Sequence, residues 1–121
     1  MSNARLVIEN YADVTVVTFQ DSSILEMRVI DQIGEELYAL PDKQATKKII
    51  LDFTNVKFLA SHTLGVVLNL NKKSKAIGGE MVMCAIRKEL MKLFTITNLD
   101  KLFKFFPDDA AALAHFGVHV K

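Results

Sequence analysis

The chain has 121 residues, 50% hydrophobic and 24% charged, with a formal net charge of +1. That length reads as one domain, residues 1–121, with a two- or three-layer core. The balanced charge gives no field for nucleic acid or an anionic membrane, and no apolar run approaches the ~20 residues of a bilayer span. A lone cysteine, Cys84, excludes an internal disulfide, and Met1-Ser2-Asn3-Ala4 carries no secretory apolar region, so the expected setting is the cytoplasm.

Residues 5–19 read as a hairpin. Arg5–Asn10 alternates in the manner of a strand, Asn10–Asp13 supplies turn formers, and Val14, Val16, Val17 and Phe19 give a second, β-branched strand. Gln20-Asp21-Ser22-Ser23 breaks it. On residue chemistry Asp21 and Ser22 are solvated turn residues. Ile24 and Leu25 read as a short buried stretch. Val29, Ile30, Ile33, Leu37 and Leu40 then mark an amphipathic helix over about 27–40, ended by Pro41, and Pro41–Lys48 reads as a polar connection.

The most informative stretch is Lys47–Gly79. Ile49, Ile50, Leu51 and Phe53 form a buried strand interrupted by Asp52, for which hydrogen bonding to turn amides is the preferred role. Thr54-Asn55 turns the chain, and Val56, Phe58 and Leu59 return it to the interior. Leu64, Val67 and Leu68 then follow at helical spacing. Lys72, Lys73 and Lys75 come late in this helix, where cations suit its dipole, and Gly78-Gly79 stops it near residue 77. Ser61 falls at or beside the N-cap, where a hydroxyl is favoured and an added phosphate would meet unpaired amides. Val66, Asn69 and Leu70 lie off the main apolar stripe and, with Ser61–Thr63, form a candidate docking face.

Beyond the central helix, Met81–Cys84 is a second buried strand, and strand–helix–strand spacing implies a right-handed parallel crossover. Ile86, Leu90, Leu93 and Phe94 give a helix near 87–95, with Thr95–Asp100 as a turn. Leu102, Phe103, Phe105 and Phe106 read as a β-like run. Pro107-Asp108-Asp109 opens a last helix near 108–116, closed by Gly117.

The run LDFTNVKFLASHTLGVVL, then KKSKAIGGEMVMCAI and LMKLFTITNLDKLFKFFPDDAAAL, resembles the STAS domain, the fold of bacterial anti-sigma factor antagonists, over about residues 5–117. The resemblance rests most on Leu51-Asp52, Phe58–Gly65 and Gly78–Ile86. It implies a mixed sheet of four to five strands with helices mainly on one face. It places the family's phosphorylated serine on Ser61, with Ala60 where the family has Asp, His62 where it has Ser or Thr, and Thr63 where it has Gly. It also implies partner contacts at Asp21 and Ser22.

No catalytic constellation accompanies this turn. Ser61-His62 is half a triad, but adjacent side chains diverge, no Gly-x-Ser-x-Gly elbow is present, and His115 and His119 lie near the C-terminus. Three histidines and one cysteine show no metal spacing, and Gly78-Gly79 follows a helix, unlike a phosphate loop. Phe103, Phe105 and Phe106 lack the basic groove of a base-stacking platform. No cofactor, metal or enzymatic activity is expected. The resemblance implies an interaction module that binds an anti-sigma factor, usually a serine kinase, and is released by phosphorylation of Ser61, with Thr63 as the alternative acceptor. The partner surface comprises Asp21, Ser22, Ala60, Ser61, His62, Thr63 and Val66. Two other roles fit the same resemblance: a scaffold subunit assembling with STAS paralogues, and a cytoplasmic subunit of a membrane transport complex.

Overall fold

The computed structural model describes residues 6–119. Strands β1 (Leu6–Tyr11) and β2 (Val14–Phe19) form the expected hairpin, with Tyr11 opposite Val14; Arg5, assigned to it from sequence, lies outside the described residues. A two-residue strand β3 (Ser23–Ile24) leads into helix α1 (Met27–Gln44). Next come β4 (Lys48–Asp52), β5 (Phe58–Leu59), α2 (His62–Ala76) and β6 (Glu80–Cys84). Helix α3 (Lys88–Ile96), a 3-10 turn at Leu99–Lys101, β7 (Phe105–Phe106) and α4 (Asp109–His115) complete the order.

The main sheet runs β1-β2-β4-β6-β7, antiparallel at the hairpin and parallel elsewhere, with β4 in its centre. Strand periodicity explains why its middle is apolar on both faces. Val17 and Phe19, Ile49, Leu51 and Phe53, and Met81 and Met83 point to the core shared with α1, α2 and α3. Val14, Val16, Ile50, Val82 and Cys84 point the other way, under Ala112 and Leu113 of α4. Three helices therefore cover one face and a short one covers part of the other, as expected for this mixed α/β architecture.

Two joints show how local chemistry sets these positions. After α2, Gly78 takes φ 76 and the Gly79 amide donates to the Ser74 carbonyl at 2.7 Å, closing the helix. Gly79 also passes so close to β4 that a Cβ there would lie 2.3 Å from the Lys47 carbonyl oxygen. At α4, the Asp108 carboxylate accepts from the Ala111 amide at 2.8 Å, a side-chain cap that fixes where the helix begins.

Several expectations are corrected. Helix α1 does not stop at Leu40 but carries the buried Pro41 within it and runs to Gln44. The proline removes one donor near a helix end, and Ala45 in the left-handed region (φ 54) lets the Thr46 amide reach the Leu40 carbonyl at 2.9 Å. Residues 41–44 are thus helical, not a loop. Leu25 is 54% exposed, and Phe58, expected to turn inward, is 59% exposed. In two-residue strands one side chain must face out: Leu59 takes the buried side of β5 and leaves Phe58 outside, while Leu25 lies just past β3, whose buried residue is Ile24. The β-like run at 102–106 shrinks to Phe105–Phe106, with Leu102 exposed. The turn expected at 95–100 is partly helical, since α3 extends to Ile96.

Candidate docking site at the Ser61 turn

Two segments distant in sequence meet at one end of the sheet. Strands β3 and β5 pair in parallel, Ser23 with Phe58 and Ile24 with Leu59. The amides of Lys57 and Phe58 both donate to the Ser22 carbonyl, at 2.8 and 3.0 Å, and the Ala60 amide donates to Ile24 at 2.9 Å. The Asp21–Ser22 loop is thereby tied alongside the Ser61 turn.

The turn is held from below by β4. The buried Asp52 carboxylate accepts from the Thr54 amide at 2.9 Å and from the Thr54 hydroxyl, the structural role its position in the strand implied. The Asn55 amide group donates to the Phe19 carbonyl at 3.2 Å, and Arg87 Nε donates to the Val56 carbonyl at 3.1 Å. Strand end, hairpin and the approach to α3 are thus joined beneath the turn. Cys84, paired in register with Asp52, is fully buried, and desolvation holds its thiol far above the ordinary value.

Ser61 is exposed and immediately precedes α2, but it adopts helical angles (φ −60, ψ −27) and its hydroxyl makes no capping bond. The first turn is closed by backbone alone: Thr63 donates to Ala60 and Leu64 to Ser61, both at 2.9 Å. His62 is exposed beside Ser61, and Ala60 is half-buried. Thr63 is 1% exposed, and its Oγ1 has no hydrogen-bond partner. Burial withdraws that hydroxyl from any enzyme acting on the folded surface, which removes Thr63 as an accessible acceptor. Val66 and Leu70, read as docking residues, are buried against α1; Asn69 is exposed. The stripe of α2 that faces inward is wider than its Leu64–Val67–Leu68 spacing indicated, because α1 covers one flank and the sheet another.

From Ser61 an open groove of about 1040 Å³ runs between α1 and α2, lined by Arg28, Asp31, Glu35 and Tyr38 on one side and His62, Gly65 and Asn69 on the other. On the opposite flank, Leu25 and Phe58 form an apolar rim continued by Leu90 and Leu93 of α3. Sequence reading missed both the α1 side of the groove and this rim. The polar spacing of Arg28, Asp31 and Glu35 was visible, but nothing local indicated which helix it would border. Among the described residues no group of histidine, cysteine and acidic side chains is arranged to hold a metal, and no helix is long and apolar enough to cross a membrane.

A STAS domain family model matches residues 5–112. The chain belongs to the STAS domain family. As a STAS domain it is similar along nearly its whole length to the anti-sigma F factor antagonist of Paenibacillus polymyxa, 24% identical over 116 residues, covering 96% of this chain and 97% of that one. Among solved structures it is similar to an anti-sigma-factor antagonist (STAS) domain protein from Planctomyces limnophilus, with a TM-score of 0.78 at 20% identity over 90% of this chain and 96% of that one. It is similar also to the anti-sigma factor antagonist SpoIIAA in its unphosphorylated form, TM-score 0.78 at 18% identity, covering 95% of this chain and 99% of that one. The phosphorylated form of Bacillus SpoIIAA gives a TM-score of 0.72 at 18% identity, covering 92% and 98%. At these identities the solved structures establish the fold of this STAS domain.

Proposed function

We propose that this STAS domain is an anti-sigma factor antagonist, a protein-interaction module that docks an anti-sigma factor with serine kinase activity over the Ser61 turn. The observation that carries this reading is the β3–β5 ladder, which sets the Asp21–Ser22 loop and an exposed Ser61 on one surface. Leu25 and Phe58 add apolar area next to a polar turn, the composition of a docking patch.

Release follows from modification of Ser61. The kinase holds a nucleoside triphosphate. Its terminal phosphoryl group forms a new P–O bond to Ser61 Oγ as the bond to the nucleoside diphosphate breaks, and the hydroxyl proton passes to a base on the kinase. The phosphate brings roughly −1.5 to −2 charge into a surface that a bound partner would otherwise desolvate. The domain itself acts as substrate and ligand, without catalysis of its own. Its Ser61-His62 pair has no third group, because His115 lies on the α4 side of the sheet, engaged with Glu80 at 3.0 Å.

Calorimetry with the anti-sigma factor encoded in the same genome tests the reading. Wild type and Ser61→Ala should bind, and Ser61→Glu should bind at least ~10-fold more weakly, about 1.4 kcal/mol. Equal affinity of wild type and Ser61→Glu would overturn it. A second reading, a scaffold STAS subunit assembling with paralogues, is favoured by one observation: Ala60 puts a half-buried methyl group where the family has a carboxylate beside the serine. Phosphosite mass spectrometry on protein from its native cell separates the two, since the scaffold carries no phosphate on Ser61.

A further inference from the structure

The groove beside Ser61 has a cation at its mouth. Helices α1 and α2 run side by side in the same direction, stapled by a ladder of paired positions. Gly34 packs beside Val66, and Tyr38 Oη bonds the Val66 carbonyl at 3.5 Å and Asn69 Nδ2 at 3.4 Å. Lys73 Nζ then meets Asp42 at 2.8 Å. An advance along α1 is matched by a nearly equal advance along α2, eight residues from Gly34 to Asp42 against seven from Val66 to Lys73. Arg28, in the first turn of α1, and Ser61 and His62, at the start of α2, therefore line the same end of the groove. Arg28 is exposed, and among the described residues it makes no ion pair.

The start of α2 is poorly disposed to receive a phosphate on Ser61. The serine has helical angles, and the Thr63 and Leu64 amides already donate to Ala60 and Ser61. We propose that a phosphate on Ser61 is clamped by Arg28 from across the α1–α2 groove, pinning the two helices together and covering this end of the groove. The inference rests on Ser61 being the modified residue, as above. A guanidinium is always charged, and its planar donors match phosphate oxygens in pairs. Asp31 and Glu35 lie about 4.5 and 10 Å further along α1 by helical rise, so their repulsion steers the phosphate toward the Arg28 end. Gly65 leaves the floor clear, because a Cβ there would meet nothing within 4 Å.

Phosphoserine introduced genetically at position 61 of the full chain allows the test without a partner. The charged and titratable groups facing the phosphate are Arg28, Asp31 and Glu35 from α1, His62 from α2 and Asp21 from the loop tied alongside by the β3–β5 ladder. A His62→Gln background keeps the imidazole from obscuring the titration. Followed by phosphorus NMR, the phosphate's second pKa should be lower with Arg28 than in Arg28→Met by ~0.5 unit or more, because the cation favours the dianion. Arg28→Lys should restore part of the difference, and Asp31→Asn should lower the pKa further. Phosphorylation should also raise the thermal midpoint more with Arg28 than in Arg28→Met, with circular dichroism checking that the unmodified variant folds. A phosphate that titrates identically with and without Arg28 overturns the clamp. The calorimetry on the partner is decided separately, so failure of the clamp and failure of the switch are distinguishable.

Discussion

Ser61 does its work, in the reading above, without contributing to the fold. A capping serine replaced by alanine costs on the order of 0.5–2 kcal/mol, yet this hydroxyl caps nothing. Ser61→Ala should therefore leave the unfolding free energy from urea denaturation within about 0.5 kcal/mol of wild type, the range of an ordinary surface change. Asp108 is the contrasting case. Its carboxylate holds the Ala111 amide at 2.8 Å, so Asp108→Ala should lose the full cap, on the order of 0.5–2 kcal/mol, read by the same denaturation. The two residues look alike as helix-start signals in the sequence. Backbone angles separate them: Asp108 is extended (φ −153), whereas Ser61 is already helical.

The two glycines that border the packed elements make a matched pair of tests. Gly79→Ala must push a methyl against the Lys47 backbone, where nothing flexible can give way. It should destabilise by ~1–3 kcal/mol, the cost of overpacking. Gly34→Ala meets only Tyr38 and Val66 side-chain atoms, the nearest at 3.6 Å, in a helix interior. It should be neutral or gain up to about 1 kcal/mol, as alanine for glycine does in helices. Thermal melts of both variants check the pair. Elements of this kind were largely legible beforehand. The hairpin, the central strand and the starts of all four helices follow from apolar period and turn chemistry. The misplaced residues share one cause, that their surroundings come from elsewhere in the chain. Phe58 faces out because β5 pairs only with β3 and Leu59 takes its buried side, and Leu25 lies just beyond that short ladder. Val66 and Leu70 are buried because α1 lies against them, and Pro41 stays helical because its ring is buried.

For the whole molecule, the two covered faces of the sheet imply a stability that falls at alkaline pH. Cys84 is buried under α4, and burial, with Asp52, Asp109 and Asp108 nearby, raises its thiol well above its ordinary value of 9.0. The unfolded chain therefore loses this proton first, and above about pH 9 it is stabilised relative to the fold. Stability should decline as pH rises through that value, with a shallower decline in Cys84→Ala, measured by urea titration across pH 8–10. The folded thiol should also resist alkylation until the chain unfolds. Asp13 works in the opposite sense: the hydrogen bond from Lys48 at 2.7 Å lowers its pKa below 3.8, so its small contribution is present above that value and is lost as pH falls through the folded pKa. Lys48→Met should return the Asp13 carboxyl toward its ordinary value in an NMR titration. The apolar pattern of the strands made the burial of Cys84 readable; the rim and groove at Ser61 depend on how two helices and two short strands come together, which no single stretch encodes.

The short ladder between β3 and β5 also bears on how fast a partner can be recognised. Loops that wander independently must each be ordered at the moment of contact, and every immobilised segment subtracts from affinity. Here the hydrogen bonds from Lys57, Phe58 and Ala60 fix the Asp21–Ser22 loop and the Ser61 turn to one another before any encounter. Under the proposed function, an incoming protein would meet a single preformed surface, with little of its binding energy consumed in arranging it. Discrimination between the proposed modified and unmodified forms would then fall at first touch, on the rate of association as well as on the lifetime of the complex.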